Sequence, residues 1–272
     1  MTGLEKIVQQ IRDEAQQAAD AVIAQAKEEA GQLAAKAAED ARTQSGAILA
    51  KSKTDVQNHL AAARSAAELA QRRAVLAAKQ EIIRRYYHAL CDQKQGRVDE
   101  AAVYKVELLM NQAGVSTHDR AVASSALARA EETGLPASAI ELPDGRIITG
   151  KTSPLLGASA AVLLNALKAL GGIQHDILLI SPIIIEPIQN LKTKHLGNHN
   201  PRLHSDEVLI ALCISAATNP TAELAMKQLA KLKGCEAHSS VILSQVDDSV
   251  FRKLGMNLTC EARYQSQKLY HK

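Results

Sequence analysis

The segment from residue 4 to residue 48 reads LEKIVQQIRDEAQQAADAVIAQAKEEAGQLAAKAAEDARTQSGAI, and its apolar residues recur every eleven positions. One series consists of Leu4, Ala15, Ala26, Ala37 and Ile48, and a second of Ile11, Val22 and Leu33. Eleven residues make three turns of about 3.67 residues, so two helices paired along such a stripe wind right-handedly. Beyond residue 48 the spacing becomes seven, as in Leu49, Val56, Ala63 and Ala70, which favours a left-handed coiled coil.

This amino-terminal region lacks the residues that build a globular core. All seven prolines lie at or after Pro136, and every aromatic residue lies at or after Tyr86. Alanine buries too little area to offset the chain entropy of folding, and a lone helix with an alanine stripe is poorly stable in water. The sequence therefore predicts a long coiled-coil helix over residues 1–85. It also predicts a partner helix for residues 4–74, either a second copy or another protein, and hence an oligomer.

Two stretches of this region resemble a known stalk protein. The opening MTGLEKI of residues 1–7 and the closing SAAELAQRRAVLAAKQE of residues 65–81 are similar to the amino-terminal helix of the E-type subunit in the peripheral stalk of V/A-type rotary ATPases. The resemblance implies a helix that pairs with another stalk protein and acts as a stator without catalytic residues. It would place the chain at most at the periphery of a membrane ATPase.

The remaining residues predict an α/β protein with a mixed or largely parallel sheet. A helical subdomain is expected over residues 86–134 and an α/β domain over residues 135–272. Within the latter, Pro143-Asp144-Gly145 joins two strand-like segments in a hairpin, and Ser181-Pro182 opens a helix that runs to about His195. Further predicted strands cover residues 177–180, 239–243 and 257–260. They alternate with helices over 159–170, from Ser205, from Thr221 and around Val250.

Residues 77–272 resemble a bacterial family of uncharacterised function, domain of unknown function 1846. The similarity rests on KQEIIRRYYH at 79–88, LPDGR at 142–146, GKTSPLLG at 150–157, NPRLH at 200–204, AATNPTAELA at 216–225 and GCEAHSSVILSQV at 234–246. Members of this family are longer and carry a glycine-rich phosphate-binding loop in an amino-terminal region that is missing here. Residues 77–83 fit both resemblances, so a fused protein and a chimera of two unrelated halves both stay open.

A first group of candidate residues concerns anion binding. Residues 145–152, GRIITGKT, satisfy the phosphate-loop pattern, but Arg146 to Ile148 are strand-like, which favours a hairpin strand running into a turn. A weaker expectation is that Lys151, Thr152 and Ser153 precede a helix and bind an anion at its amino terminus. Arg202, in the polar turn at residues 198–202, is a further candidate contact for an anionic ligand. A contact between subunits would explain this polar turn equally well.

A second group concerns catalysis or metal binding. His204, Asp206 and Glu207 lie where a loop enters a helix, so His204 is a candidate general base or ligand, although capping alone explains such residues. Cys235 with His238 and His195 with His199 have ligand-like spacing. No fourth ligand is identifiable, so the sequence predicts no metal site and indicates no particular cofactor.

Composition excludes several classes of protein. The net charge is +3 with acids and bases interleaved, which argues against a nucleic-acid-binding surface. No apolar run approaches the roughly 20 residues of a membrane span, the start lacks a signal peptide's apolar region, and the four sparse cysteines suit a reducing cytoplasm. We therefore expect a cytoplasmic, non-catalytic interaction or assembly protein. The alternative is a nucleotide- or anion-binding enzyme fragment that lacks its phosphate-loop domain.

Overall fold

A computed structural model of the chain describes residues 3–265. The chain divides into two compact units, the first ending at Arg73 and the second beginning at Ala74. Helix α1 spans Gly3–Lys94, so the predicted long amino-terminal helix is confirmed. Within the described part of the first unit, residues 3–73, every residue is exposed. Its pairing into a coiled coil stays a prediction.

The second unit contains the remaining helices and all the strands of the described chain. Its helices are α2 (Glu100–Ala113), α3 (Ala121–Thr133), α4 (Ala158–Leu170), α5 (Pro182–Asn190), α6 (Ser205–Ala216), α7 (Pro220–Met226) and α8 (Gln245–Lys253). Its strands are β1 (Ala137–Glu141), β2 (Ile147–Lys151), β3 (Glu236–Ser239) and β4 (Asn257–Cys260). Short 3-10 segments cover Thr117–Asp119 and Leu229–Leu232, and a π-helical turn, Leu191–His195, continues α5.

The four strands form one mixed sheet in the order β2-β1-β3-β4. Strand β1 is antiparallel to both β2 and β3, whereas β3 and β4 are parallel. Strands β2, β3 and β4 therefore run in the same direction and end at the same edge, which we call the carboxyl edge. This arrangement confirms the predicted mixed α/β sheet.

One face of the sheet is covered by α4, which forms the centre of the main core. Nine of its residues are buried, as a helix that is apolar on most sides requires. Gly150 of β2 permits this contact, because a Cβ there would lie 2.2 Å from the backbone nitrogen of Val162. Asn165 Nδ2 donates to Thr149 O at 3.0 Å, and Arg146 Nη2 donates to Ala169 O at 3.3 Å. Helix α4 is therefore antiparallel to β2, and it begins at the carboxyl edge.

The other face contacts α3 and the last turns of α1. Val122 and Ala126 of α3 pack against Ala139 of β1, and the Tyr87 ring lies edge-on to the His238 ring, with centroids 4.8 Å apart. Arg120, which precedes α3, is 1% exposed and bonds to both β3 and β4. These contacts hold α3 and the last turns of α1 against the face of the sheet opposite α4.

Two predicted strands differ from the structure. Residues 177–180 form an irregular loop with bends rather than a strand. Leu179 and Ile180 are buried, but they contribute side chains to the core from a loop that lies between a glycine pair and the start of α5. The strand predicted at 239–243 lies earlier, at Glu236–Ser239. Val241 and Ile242 gave an apolar signal because they are buried, but they lie in the loop that leads to α8.

The other predicted elements agree with the structure to within a few residues. The hairpin is confirmed, with Gly145 at a φ of 83° and its amide donating to Leu142 O. Ser181 caps α5 through its side chain, and Pro182 is the first helical residue. Residues 3–265 contain no helix with the length and apolarity that crossing a membrane requires.

Candidate functional site at the carboxyl edge of the sheet

Two helices begin side by side at the carboxyl edge. Leu156 and Leu203 form a parallel bridge, in which Leu203 N donates to Leu155 O at 2.9 Å and Gly157 N donates to Leu203 O at 3.1 Å. Helix α4 begins directly after Gly157, and α6 begins directly after His204. Helix α8 also begins near this edge, because it follows the loop that leaves β3. The carboxyl edge of parallel strands is the usual ligand position in α/β folds.

His204 and Asp247 form the most highly organised polar cluster at this edge. His204 Nδ1 lies 2.8 Å from Asp247 Oδ2, while the amide and hydroxyl of Ser205 donate to Asp247 Oδ1 at 2.8 and 2.7 Å. The Ser244 hydroxyl, which caps α8, donates to Asp247 Oδ2 at 2.8 Å. Asp247 is 5% exposed, so these bonds compensate the burial of its charge.

The pair also alters the proton affinity of both groups. The hydrogen bond to Asp247 is the main cause of a raised pKa at His204, and it outweighs the lowering effect of burial. Burial alone would raise the pKa of Asp247, but the hydrogen bonds from His204 and Ser205 outweigh it and hold that pKa below its ordinary value. The pair therefore keeps a carboxylate facing an imidazolium up to a higher pH than a free histidine would allow.

Replacing His204 by glutamine gives a pH-dependent loss of stability. The raised pKa of His204 means that its contribution is complete below about pH 6.5 and is lost as the pH rises through the folded-state pKa. The lowered pKa of Asp247 means that its contribution is present above about pH 3.9 and is lost only in stronger acid. We expect His204→Gln to lower the free energy of unfolding by about 2 kcal/mol at pH 5.5 and by less at pH 8.5.

Urea unfolding of the full chain at both pH values measures this difference, with His199→Gln as the control because His199 is exposed. Equal destabilisation of His204→Gln at both pH values would show that the charged hydrogen bond is not what stabilises the cluster.

The geometry suits proton transfer or anion binding better than covalent catalysis. Asp247 orients the imidazole through Nδ1, as carboxylates orient catalytic or ligating histidines, and the His204 side chain is 30% exposed. Ser244 lies on the Nδ1 side, with its Oγ 3.4 Å from that nitrogen. A nucleophilic serine would instead face Nε2, so this cluster is not a Ser-His-Asp triad.

The residues predicted to bind an anion have different roles. Lys151 ends β2 and is exposed, whereas Thr152 is 3% exposed. The Ser153 hydroxyl accepts from the amides of Leu155 and Leu156 at 3.2 and 3.0 Å, so it caps a turn. Arg202 Nε donates to Ser153 O at 2.9 Å, which joins the two predicted segments. The structure thus brings residues 151–153 and 202–207 to one edge.

Asp206 and Glu207 act mainly as helix-capping groups. Asp206 Oδ1 accepts from the amide of Glu207 at 2.8 Å, and Glu207 Oε2 accepts from the amide of His204 at 2.8 Å. Glu207 also accepts from the buried Lys192 Nζ at 2.7 Å, and Lys192 donates in addition to Arg202 O. Both bonds fall on Oε2 of Glu207, which joins this carboxylate to the start of α6 and to Lys192.

The residues of the two pairs with ligand-like spacing, Cys235 with His238 and His195 with His199, either bond to other groups or are exposed. His238 Nδ1 lies 2.8 Å from Thr259 Oγ1, and the Cys235 thiol lies 3.5 Å from Lys231 O. His195 and His199 are both exposed. Within residues 3–265, no group of three or more His, Cys, Asp or Glu side chains is arranged to hold a metal ion.

Sequence reasoning missed Asp247, Ser244 and Lys192. Asp247 and Ser244 lie about 40 residues after His204 in the chain, and their sequence signal, a serine followed by two acidic residues, is that of an ordinary helix start. Lys192 lies on the π-helical turn after α5 and resembles a solvent-exposed lysine in the sequence. Only the tertiary fold joins these residues to His204.

A cavity of about 610 Å³ lies nearby, between the last turns of α1 and the loop before α8. Its charged residues pair with each other, as in Arg97 with Asp92 and Arg252 with Asp248. Burial raises the pKa of the Cys91 thiol to about 12, and burial also raises the pKa of the Cys260 thiol. Both cysteines are therefore protonated and unreactive near neutral pH.

Comparison with known proteins identifies two matching family domains. The C-terminal domain of unknown function DUF1846 matches residues 118–270, and its N-terminal counterpart matches residues 44–114. The UPF0371 protein of Streptococcus pyogenes serotype M5 is 57% identical over 199 residues, which are 73% of this chain and 40% of that protein. The UPF0371 protein of Streptococcus thermophilus strain CNRZ 1066 is 56% identical over 196 residues, 72% of this chain and 40% of that protein.

The matches confirm one predicted resemblance and extend it. Similarity to the family begins at residue 44, earlier than the predicted residue 77, so it includes part of the helix that was predicted to resemble the ATPase stalk protein. The chain spans about two fifths of the length of these relatives. Neither relative is named as a component of a rotary ATPase, and the resemblance to the stalk protein stays a prediction.

Proposed function

The chain belongs to the DUF1846 family, whose description assigns no activity, and we propose that it is a non-catalytic assembly protein. In this proposal the amino-terminal helix pairs with another helix, as helices do in the stator stalk of rotary ATPases. The α/β unit is then the module that the paired helices connect to other copies of the chain or to partner proteins.

The observation that carries the proposal is the exposed apolar stripe of α1. Ile11, Val22, Leu33 and Ile48 are 60%, 66%, 73% and 68% exposed. Single exposed apolar residues are common on protein surfaces, but a stripe that repeats every eleven residues is typical of a helix-pairing seam. Burying each such side chain contributes roughly 1.5–3 kcal/mol, which a lone helix does not gain.

A second copy of the helix is the partner that the chain itself offers. The same stripe on both helices is self-complementary, and the alanines between the larger residues allow close approach. Acidic and basic residues are interleaved along the helix, so two copies do not present a long block of like charge to each other. A separate stalk protein is the partner that the rotary-ATPase resemblance favours.

A triple substitution on the stripe tests helix pairing. We expect the full chain to sediment as a dimer of the 29.1 kDa protomer, and Ile11→Glu, Val22→Glu and Leu33→Glu together to yield a monomer. Three glutamates in the seam lose apolar burial and add like-charge repulsion. The matched control is Gln10→Glu, Gln17→Glu and Gln32→Glu, which adds the same charge on a different side of the helix. Sedimentation velocity separates the outcomes, and a triple stripe variant that dimerises like the control would contradict the proposal.

A second candidate function is a nucleotide- or anion-binding enzyme fragment. It is favoured by one observation at the carboxyl edge. Helices α4 and α6 begin there side by side, and the His204–Asp247 pair lies between α6 and α8. In this candidate, His204 supplies a cation or a proton and the helix termini supply amide donors. Thermal-shift screening against phosphate compounds tests it, and a melting temperature that none of them changes would count against this function.

A further inference from the structure

Helix α6 carries an apolar face that no described part of the chain covers. The face consists of Ile210, Cys213, Ile214 and Ala217, which are all exposed and recur at the three- and four-residue spacing of one side of a helix. Ile210 and Ile214 are 61% and 59% exposed. The opposite side of α6 is buried against α4, α7 and α8. A helix that is apolar on both sides is normally enclosed by protein on both sides.

The same face lacks the charged side chains that solvated helix surfaces carry. No Asp, Glu, Lys or Arg lies between Val208 and Ala222, and the two acidic residues of α6 are confined to its first turn. Helix α8 has the usual pattern, with Arg252 and Lys253 exposed. Contiguous apolar surface of this kind marks an interaction site. Its partner must present a surface that is also apolar and uncharged.

A second copy of α6 meets this requirement. When two copies pack antiparallel about a twofold axis between Cys213 and Ile214, Ile210 of each copy lies opposite Ala217 of the other. Large residues then face small ones at both ends of the contact, which lets the two helices approach closely. A contact between identical surfaces needs such self-complementarity, and the uncharged face adds no like-charge repulsion.

The size of the face determines when this contact forms. Four side chains on a helix of 12 residues cannot bury the roughly 1,200 Å² at the lower end of stable interfaces. The contact therefore does not hold two free chains together. It forms between units that are already linked, because a link raises their effective concentration to about the millimolar range. Pairing of the amino-terminal helices supplies such a link.

We infer that, in a dimer held by the paired amino-terminal helices, α6 of one copy packs antiparallel on α6 of the other through Ile210, Cys213, Ile214 and Ala217. This inference rests on the proposed assembly function and names the surface through which the α/β units of two copies meet.

Chemical crosslinking of Cys213 tests the contact in the full chain. Cys213 is exposed, whereas Cys235 is buried and Cys91 and Cys260 are partly buried. The inferred axis places the two Cys213 thiols beside each other, so bismaleimidoethane should give a covalent dimer whose linked peptides both contain Cys213. The control is Cys213→Ser with Ser124→Cys, which moves the exposed thiol to α3. It should give at least about tenfold less covalent dimer, because its thiols lack a shared contact that raises their effective concentration.

Substitutions on the face test both the contact and its register. Ile210→Glu together with Ile214→Glu should lower crosslinking at least about tenfold, because apolar burial is lost and like charges meet. Ala217→Ile places isoleucine against isoleucine and should lower it to a similar extent. Adding Ile210→Ala to Ala217→Ile restores one large and one small residue at each end, so crosslinking should recover. All these positions are exposed, and an unchanged melting temperature shows that each variant is folded.

Sedimentation velocity of the same samples separates the inferred contact from the proposed function. A dimeric wild type whose crosslink through Cys213 is lost in the glutamate variant and recovered in the exchanged pair supports both. A dimeric wild type that crosslinks no more than the α3 control overturns the α6 contact and leaves helix pairing standing. A monomeric wild type without the crosslink overturns both.

Discussion

Replacing Arg120 by alanine is expected to lower the free energy of unfolding of the α/β unit by about 3–5 kcal/mol, the usual cost of breaking a buried ion pair. The guanidinium is 1% exposed and donates to the Glu236 carboxylate, to Thr259 Oγ1 and to the carbonyls of Ala237 and Asn257. Removing it takes this donor from all four acceptors, although Arg84 still pairs with Glu236. Urea unfolding monitored by circular dichroism measures the loss.

Two further variants show whether the buried pair causes this loss. Arg129→Ala removes an arginine from α3 that pairs with the exposed Glu132, and it should cost about 0–1 kcal/mol. Glu236→Gln in the Arg120→Ala background removes a charge that has lost one of its two arginine partners, and it should recover part of the stability. A loss in Arg120→Ala no larger than that in Arg129→Ala would mean that the buried network does not hold the sheet to α3.

Replacing Gly150 by alanine is expected to destabilise the same unit by about 3 kcal/mol or more, at the upper end of overpacking effects. A Cβ at this position would lie 2.2 Å from Val162 N, 2.5 Å from Val162 Cα and 2.7 Å from Ala161 C. All three are backbone atoms of α4, so no side-chain rotation relieves the clash. The helix must move off the sheet, which opens the main core.

The control for this variant is the same substitution at the start of the same helix. Gly157→Ala introduces a Cβ whose nearest neighbour is 3.7 Å away, an ordinary contact, and we expect a change below about 1 kcal/mol. Thermal unfolding of both variants gives the comparison. Similar melting temperatures for the two would show that α4 does not lie in close contact with β2.

Much of the fold was predictable where the signal is local. The eleven-residue repeat predicts α1, the Pro143-Asp144-Gly145 turn predicts the β1–β2 hairpin, and Ser181-Pro182 predicts the start of α5. Each signal acts through its own neighbours in the chain. The segment at 177–180 was predicted wrongly because an apolar run indicates burial, and burial does not distinguish a strand from a core-facing loop.

The candidate site was predictable only in part for a related reason. Thr152 and His204 were predicted because both lie before a helix, a position that the sequence reveals. The partner of His204, Asp247, comes from a segment 43 residues away. The juxtaposition of Gly157 with His204 depends on a bridge between two leucines. Neither pairing can be predicted from the local sequence.

Amide hydrogen exchange along residues 3–73 of the full chain, followed as the protein concentration is raised, tests the assembly role most directly. A single exposed helix opens readily, whereas a paired helix gains protection by mass action. The assembly role predicts that protection in this segment rises with concentration while that of α4 stays constant. Protection of residues 3–73 that stays absent at every concentration would contradict the pairing of this helix with a second copy.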